Sequence, residues 1–214
     1  MTLWAYRASF RARRHRGDAV EFYIFVPCCS LDSAAPPRHN HGEVSMMTEF
    51  RNATGADAGL ISHLYATSWR KAYRGIIPPD YLERLPDDYW VPSVRTWLDS
   101  GRFSGLMMWR DGHPVGCAIY GRGRDDRYTG WGEVVSLYLL PDCTRQGLGS
   151  ALLAEALRQM RADGFTRFYL WCLQNNTAAD AFYRSQGFKP TSEQAEDQIG
   201  GEALVERRYV RVEA

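Results

Sequence analysis

The stretch Cys143–Leu153, "CTRQGLGSALL", follows the apolar run "VVSLYLLPD". It reads as a strand, a stop at Pro141, two glycines at alternate positions and an apolar helical run. A strand that feeds a helix in this way aims several unpaired backbone N–H groups at one point, and the helix dipole adds partial positive charge there. Phosphate or pyrophosphate is the natural ligand for such a point. Gly147 and Gly149 keep side chains out of its way, and Arg145 can add a charged donor. A Walker loop would end in Gly-Lys-Ser/Thr, but Gly149 is followed by Ser150-Ala151. A dinucleotide fingerprint needs a third glycine, where Leu152 stands. It also needs an acidic residue after the next strand, where Gln174-Asn175-Asn176 stand. The residues alone leave two readings: a phosphate cradle of another kind, or a tight strand-to-helix turn.

The elements that must position this turn are legible on both sides of it. "EFRNA" is a short strand. "TGADAGLISHLYATSWRKAY" is a helix with Leu60, Leu64 and Thr67/Ser68 on one face and Thr54 or Asp57 as its cap. After Pro78-Pro79 a second helix begins, and the pattern stays helical through "DDYWVPSVRTWLDSG". Asp111-Gly112 marks a hairpin between "FSGLMMW" and "HPVGCAIYGR". A polar, glycine-rich loop leads to the strand "EVVSLYLL". The helix "GSALLAEALRQMRADG" carries Leu153, Leu157 and Met160 on one stripe. "TRFYLWCL" is a buried strand, "NTAADAFYRSQG" a short helix capped by Asn176, and "ALVERRYVRV" a final strand. The order β-α-α-β-β-β-α-β-α-β predicts an α/β fold with a mixed β-sheet in three layers.

Bulk properties narrow the partners. The chain has 214 residues and a formal net charge of +1, which suits one domain with an extension and argues against nucleic acid as a ligand. No apolar run approaches the roughly 20 residues that cross a bilayer, so no membrane partner is expected. The five cysteines and five histidines contain no CxxC pair and no ligand spacing. No metal site follows from them, and free thiols suit a reducing, cytoplasmic setting. Residues 1–46 read as a poorly ordered extension or a start-site artefact, with Met46 or Met47 as the alternative start. The apolar stretch "FYIFVPCC" lies close to Asp18 and Glu21, and no clear cleavage site follows it, so a signal peptide is the weaker reading.

From residue 47 to residue 214 the chain resembles the GCN5-related N-acetyltransferase (GNAT) superfamily, in its small bacterial form. "SLYLLPDCTRQGLGSALL" is similar to the family's central strand and its Gln/Arg-x-x-Gly-x-Gly/Ala loop, with Thr144 at the opening Gln/Arg position. "LWCLQNNTAADAFYRSQGFKP" resembles the next strand, the Asn-x-x-Ala helix and the Tyr-x-x-x-Gly-Phe ending. "SWRKAYRGIIPPDYL" resembles the paired N-terminal helices, and "GGEALVERRYVR" suits the last strand. The resemblance implies an N-acetyltransferase domain that moves an acetyl group from acetyl-CoA to a primary amine of a small molecule, peptide or protein. It implies a splayed gap between the central strand and the next one. The pantetheine arm would pair there with the backbone of Leu137, Tyr138 and Leu139, and the pyrophosphate would sit on Arg145, Gln146, Gly147, Leu148, Gly149 and Ser150. A non-catalytic acetyl-CoA-binding module is the alternative.

Acyl transfer to an amine needs a neutral nucleophile, donors for the oxyanion and a proton for the leaving thiolate. Tyr183 matches the family's tyrosine and is the expected general acid, since a phenol near about 10 and a thiol near about 8.5 share a proton efficiently. Asn176 matches the asparagine that approaches the pantetheine or pyrophosphate, besides capping its helix. Glu133, opening the central strand, could relay a proton through water if burial raises its pKa; otherwise it is an exposed strand-end carboxylate. Trp69 and Tyr73, four residues apart on one helical face, are the expected acceptor-pocket residues. The alternative for each aromatic is a core role. Arg70 and Arg74 read as a solvated face that could instead attract a substrate carboxylate. The last strand and the aromatic helices permit a homodimer without requiring one.

Overall fold

The computed structural model describes residues 47–213. The expected N-terminal extension, Cys28 and Cys29 lie outside the described residues. Seven strands form one sheet: β1 (Thr48–Ala53), β2 (Ser104–Arg110), β3 (His113–Arg122), β4 (Gly132–Leu139), β5 (Arg167–Leu173), β6 (Lys189–Ile199) and β7 (Glu202–Val212). Their spatial order is β1-β2-β3-β4-β5-β7-β6. Only the β4–β5 pair is parallel, and the other neighbours run antiparallel.

Helices cover both faces, giving the expected three layers. On one face lie α1 (Ala58–Ala72), α2 (Pro79–Arg84) and α3 (Val91–Asp99). They pack Ile61, Leu64, Tyr65, Trp69, Leu82 and Val94 against Cys117, Ile119, Tyr138 and Leu173 of the sheet. On the other face lie α4 (Leu148–Ala162) and α5 (Thr177–Ser185). The predicted stripe of Leu153, Leu157 and Met160 is buried there, against Leu106, Ala118, Leu137 and Leu170. Cys117 and Cys172 are buried free thiols, and burial pushes both pKa values well up.

Three details depart from the sequence expectation. In α1 the buried stripe is Ile61, Leu64, Tyr65 and Ser68, while Leu60 is exposed. The apolar face is rotated by one position because Ile61 and Tyr65 bury more than the Leu60–Leu64 pair could. The second predicted helix is two. Pro86 forces Leu85 into extended backbone (ψ 114°), so α2 stops and α3 restarts with Pro92 in its first turn. Last, β6 is an additional strand. Its sequence "KPTSEQAEDQI" is polar and largely solvent-facing, so no apolar periodicity announced it. The signal was the next dipeptide: Gly200 (φ 63°) and Gly201 (φ 89°) make the two-residue turn that joins β6 to β7.

Candidate functional site

The site begins with an irregularity in β4. Ile119 pairs with Ser136 and Tyr120 with Val134, so Val135 is an extra residue on β4. Such a bulge bends its strand and re-aims side chains. Ser136 consequently meets the Tyr65 hydroxyl of α1, and Tyr138 turns toward α1. On its other edge β4 pairs with β5 only at Gly132↔Phe168 and Glu133↔Tyr169. Beyond that closed end the strands part, and the backbone of Leu137, Tyr138 and Leu139 borders the opening. The Leu139 carbonyl already accepts from the Ser68 hydroxyl (2.8 Å).

The glycine turn stands past the open end. Arg145 (φ 64°) and Gly147 (φ 78°) are both left-handed, and residues of that hand at alternate positions curl the chain into a concave nest of N–H groups. The left-handed form costs a non-glycine residue about 1–2 kcal/mol, a strain that Arg145 sustains. A Cβ placed on Gly147 would meet nothing within 4 Å, so the space over the turn is open. The first helical bond of α4 joins the Ala151 N–H to the Gly147 carbonyl (3.1 Å). The amides of Leu148, Gly149 and Ser150 precede that ladder. Side chains brace the turn from behind. Gln146 accepts from Arg110 and donates to the Asp142 carbonyl, and Thr144 donates to the Pro141 carbonyl (2.8 Å). Thr144 is thus spent on the turn itself.

Asn176 is the second contribution to the open end. Its side-chain oxygen accepts from the Ala179 N–H (3.1 Å) and caps α5. Its Nδ2 is buried with no hydrogen-bond partner among the described residues. A buried amide left in that state is stable chiefly when something else comes to accept from it.

Three predicted aromatics, Trp69, Tyr73 and Tyr138, meet on the α1 side of the sheet. Trp69 Nε1 donates to the Tyr138 hydroxyl (2.8 Å), and Tyr73 hydrogen-bonds to the same group. The Trp69 and Tyr73 rings touch edge to face, 4.9 Å between centroids. Tyr183 is fully buried in the α4–α5 layer, with its ring near Phe182, Phe188 and Tyr209. Burial, then Tyr138, then Cys172 and Tyr183, push the Tyr73 hydroxyl well above its ordinary pKa. Tyr73 and Tyr183 belong to opposite faces of the sheet. Arg70 is held by Asp87 (2.6 Å) and the Leu85 carbonyl, and Arg74 reaches back to the Arg70 carbonyl, so both serve the helices.

Glu133 is neither of the two things expected of it. It is buried at the closed end, and Arg124 grips it through Nη2–Oε1 (2.6 Å) and Nε–Oε2 (3.0 Å), with the Tyr169 hydroxyl donating at 2.9 Å. Burial pushes its pKa up, but the Arg124 guanidinium and these hydrogen bonds outweigh it and hold the carboxylate below its ordinary range. A carboxylate kept ionised by a bidentate partner is a poor proton acceptor. Next to this pair, Arg208 is 1% exposed, bridged to Asp125 and stacked over Tyr128 (3.9 Å) and Trp171 (4.4 Å).

Sequence reasoning missed Glu206. It lies on β7, paired with Leu173 of β5 and Ala195 of β6, and is fully buried. Neither carboxyl oxygen has a hydrogen-bond partner among the described residues. Burial, followed by the charge of Asp197, pushes its pKa well above the ordinary value. The available signal was alternation: Leu204, Glu206 and Arg208 share the face that packs on α1–α3, which sets an acid on an inward position of a strand. Among the described residues no cluster of His, Cys, Asp and Glu could hold a metal ion, and no helix is long and apolar enough to cross a membrane.

Comparison with known proteins follows the same outline. Residues 63–188 match the Acetyltransferase (GNAT) family. The chain is 32% identical over 145 residues to the uncharacterized N-acetyltransferase YuaI of Bacillus subtilis, covering 65% of this chain and 79% of that one. It is 24% identical over 173 residues to spermidine N(1)-acetyltransferase of Thermoplasma acidophilum, covering 77% and 99%. The crystal structure of the PaiA N-acetyltransferase of Thermoplasma acidophilum in complex with coenzyme A superposes with a TM-score of 0.63. That match has 22% identity and covers 78% of this chain and 99% of the other.

Proposed function

Since the chain belongs to the GNAT acetyltransferase family and is an acetyl-CoA-dependent acyltransferase, we propose that its acceptor is a primary amine of a small molecule or peptide. The observation that carries this reading is the parted β4–β5 edge, with the open Gly147 nest beyond it.

The residues present fit acetyl-CoA. The amides from Arg145 to Ser150 would take the pyrophosphate, the buried Asn176 Nδ2 would find its missing acceptor, and the β4 edge at Leu137–Leu139 would pair with the pantetheine amides. Bound there, acetyl-CoA supplies an activated thioester. Tyr183 would give a proton to the departing sulfur. Trp69 and Tyr73 orient the Tyr138 hydroxyl at the α1 side of the opening and exclude water from it. Glu133, paired with Arg124, braces the closed end.

The test is release of free thiol from acetyl-CoA by the full chain across a panel of amines: 1,4-diaminobutane, spermidine, lysine and an unblocked peptide. At least one amine should drive release, and Tyr183→Phe should lower kcat about 100-fold with KM for acetyl-CoA unchanged. Acetyl-CoA binding without turnover on any amine would overturn the reading.

A further inference from the structure

Glu206 is a buried acid whose carboxyl oxygens have no hydrogen-bond partner among the described residues. It sits at the level of Leu173, four residues past the last β4–β5 pair, and so at the open end of the gap. Every element around it brings a titratable group. β4 brings Tyr138 and Glu133, β5 brings Cys172, β6 brings Asp197, and the segment after β3 brings Arg124. Arg124 is committed to Glu133 at 2.6 Å, and Arg208, two residues on along the same face of β7, is committed to Asp125. Asp197 adds a second acid. It is half-buried, accepts from the Gln198 N–H (2.7 Å), and lies within electrostatic reach of Tyr81 and Tyr89 of the helical layer.

A carboxyl with both oxygens unpartnered, a second acid nearby and electron-rich rings near that second acid together suit a cation. We infer that Glu206 takes the proton from the acceptor's ammonium group, and that the acceptor is an alkylamine that arrives positively charged. The inference rests on the acetyl-transfer reading above.

The chemistry balances. The acceptor enters as R–NH3+ beside the Glu206 carboxylate. One proton passes to Glu206, and the freed nitrogen lone pair forms the C–N bond to the acetyl carbon as the C–S bond breaks. Tyr183 protonates the departing thiolate and is reprotonated by the second proton lost by nitrogen, leaving R–NH–COCH3, the free thiol and Glu206–COOH, which returns its proton to water. Burial suits this exchange from both ends. It raises the proton affinity of a carboxyl and lowers that of an ammonium, whose pKa in water is about 10.4, so the two approach each other.

The test compares the wild type with Glu206→Gln, using 1,4-diaminobutane and acetyl-CoA from pH 6 to pH 10. In the wild type kcat/KM should rise with pH and level off once Glu206 is ionised. In Glu206→Gln it should fall about 100-fold at neutral pH and keep rising about tenfold per pH unit, following free amine alone. Acetyl-CoA affinity should be unchanged, which separates loss of the base from loss of the fold. β-Alanine, whose carboxylate the two acids repel, should be acetylated less efficiently than the diamine. If Glu206→Gln keeps the wild-type rate and profile, or β-alanine is the better acceptor, the inference fails while the acetyl-transfer reading stands. If no amine drives thiol release in the wild type, the earlier reading itself fails. Should the variant not fold, the wild-type profile decides, since kcat/KM that climbs without levelling until the amine deprotonates would also overturn the role.

Discussion

Glu133 and Glu206 are both fully enclosed glutamates that border the α1–α3 side of the same sheet, yet they live in opposite surroundings. Glu133 stands where β4 and β5 are still paired, and it has Arg124 and Tyr169 on its oxygens. Glu206 stands where the strands have parted, and its oxygens touch no donor among the described residues. Burial acts on both in the same direction; the partner decides the outcome, lowered for Glu133 and raised for Glu206. The closed end of the gap is electrostatically complete and holds the sheet together. The open end has a deficit on each side of the sheet, at Glu206 and at the Asn176 amide.

The largest expected effect comes from making the closed end resemble the open one. Arg124→Met leaves Glu133 buried without its cation and should cost about 3–5 kcal/mol in urea unfolding. Adding Glu133→Gln to that variant should recover much of the loss. If Arg124→Met alone is neutral, the contrast between the two ends is wrong.

Next is the pH dependence of stability, whose sign differs between the two glutamates. Glu133 has a lowered folded pKa, so its contribution is present above the ordinary value of 4.5 and is lost as pH falls through the folded value. Glu206 has a raised folded pKa. The native state holds that proton longer, and stability falls as pH rises from 4.5 toward the folded value. Glu133→Gln should therefore flatten the acid side of the stability profile. Glu206→Gln should gain on the wild type as pH rises, measured by urea midpoints from about pH 3 to about pH 9. Parallel curves would remove the distinction.

The smallest effect sharpens the open end. Asn176→Ala removes one cap bond, worth about 1 kcal/mol, and also removes the orphan amide. Beyond that loss, the rise in Tm that acetyl-CoA produces in the wild type should shrink. An undiminished rise would mean that Nδ2 meets no ligand.

Several of these features were legible in the residues. The turn after β4 was visible because the glycines, the preceding proline and the apolar helix are contiguous, and local order carries that information. Asn176 and the α4 stripe were visible for the same reason. Strand β6 was hidden, because its polar residues carry no periodic signal and its pairing is supplied by β7. The stripe on α1 was misplaced by one residue, since several apolar phases fit that helix and the sheet beneath selects among them. Glu133 was singled out for its place at a strand end. Its charge state depends on Arg124, nine residues away across a polar loop, and on Tyr169 from another strand.

By itself the sequence determined the layer architecture, the glycine turn after β4 and the family, because those depend on short-range spacing and on hydrophobic period. The tertiary structure alone decided which glutamate is neutralised and which is left in need. A carboxyl's proton affinity is set by the charges and donors within a few ångströms. In a sheet ordered β4-β5-β7-β6, those neighbours come from residues far apart in the chain.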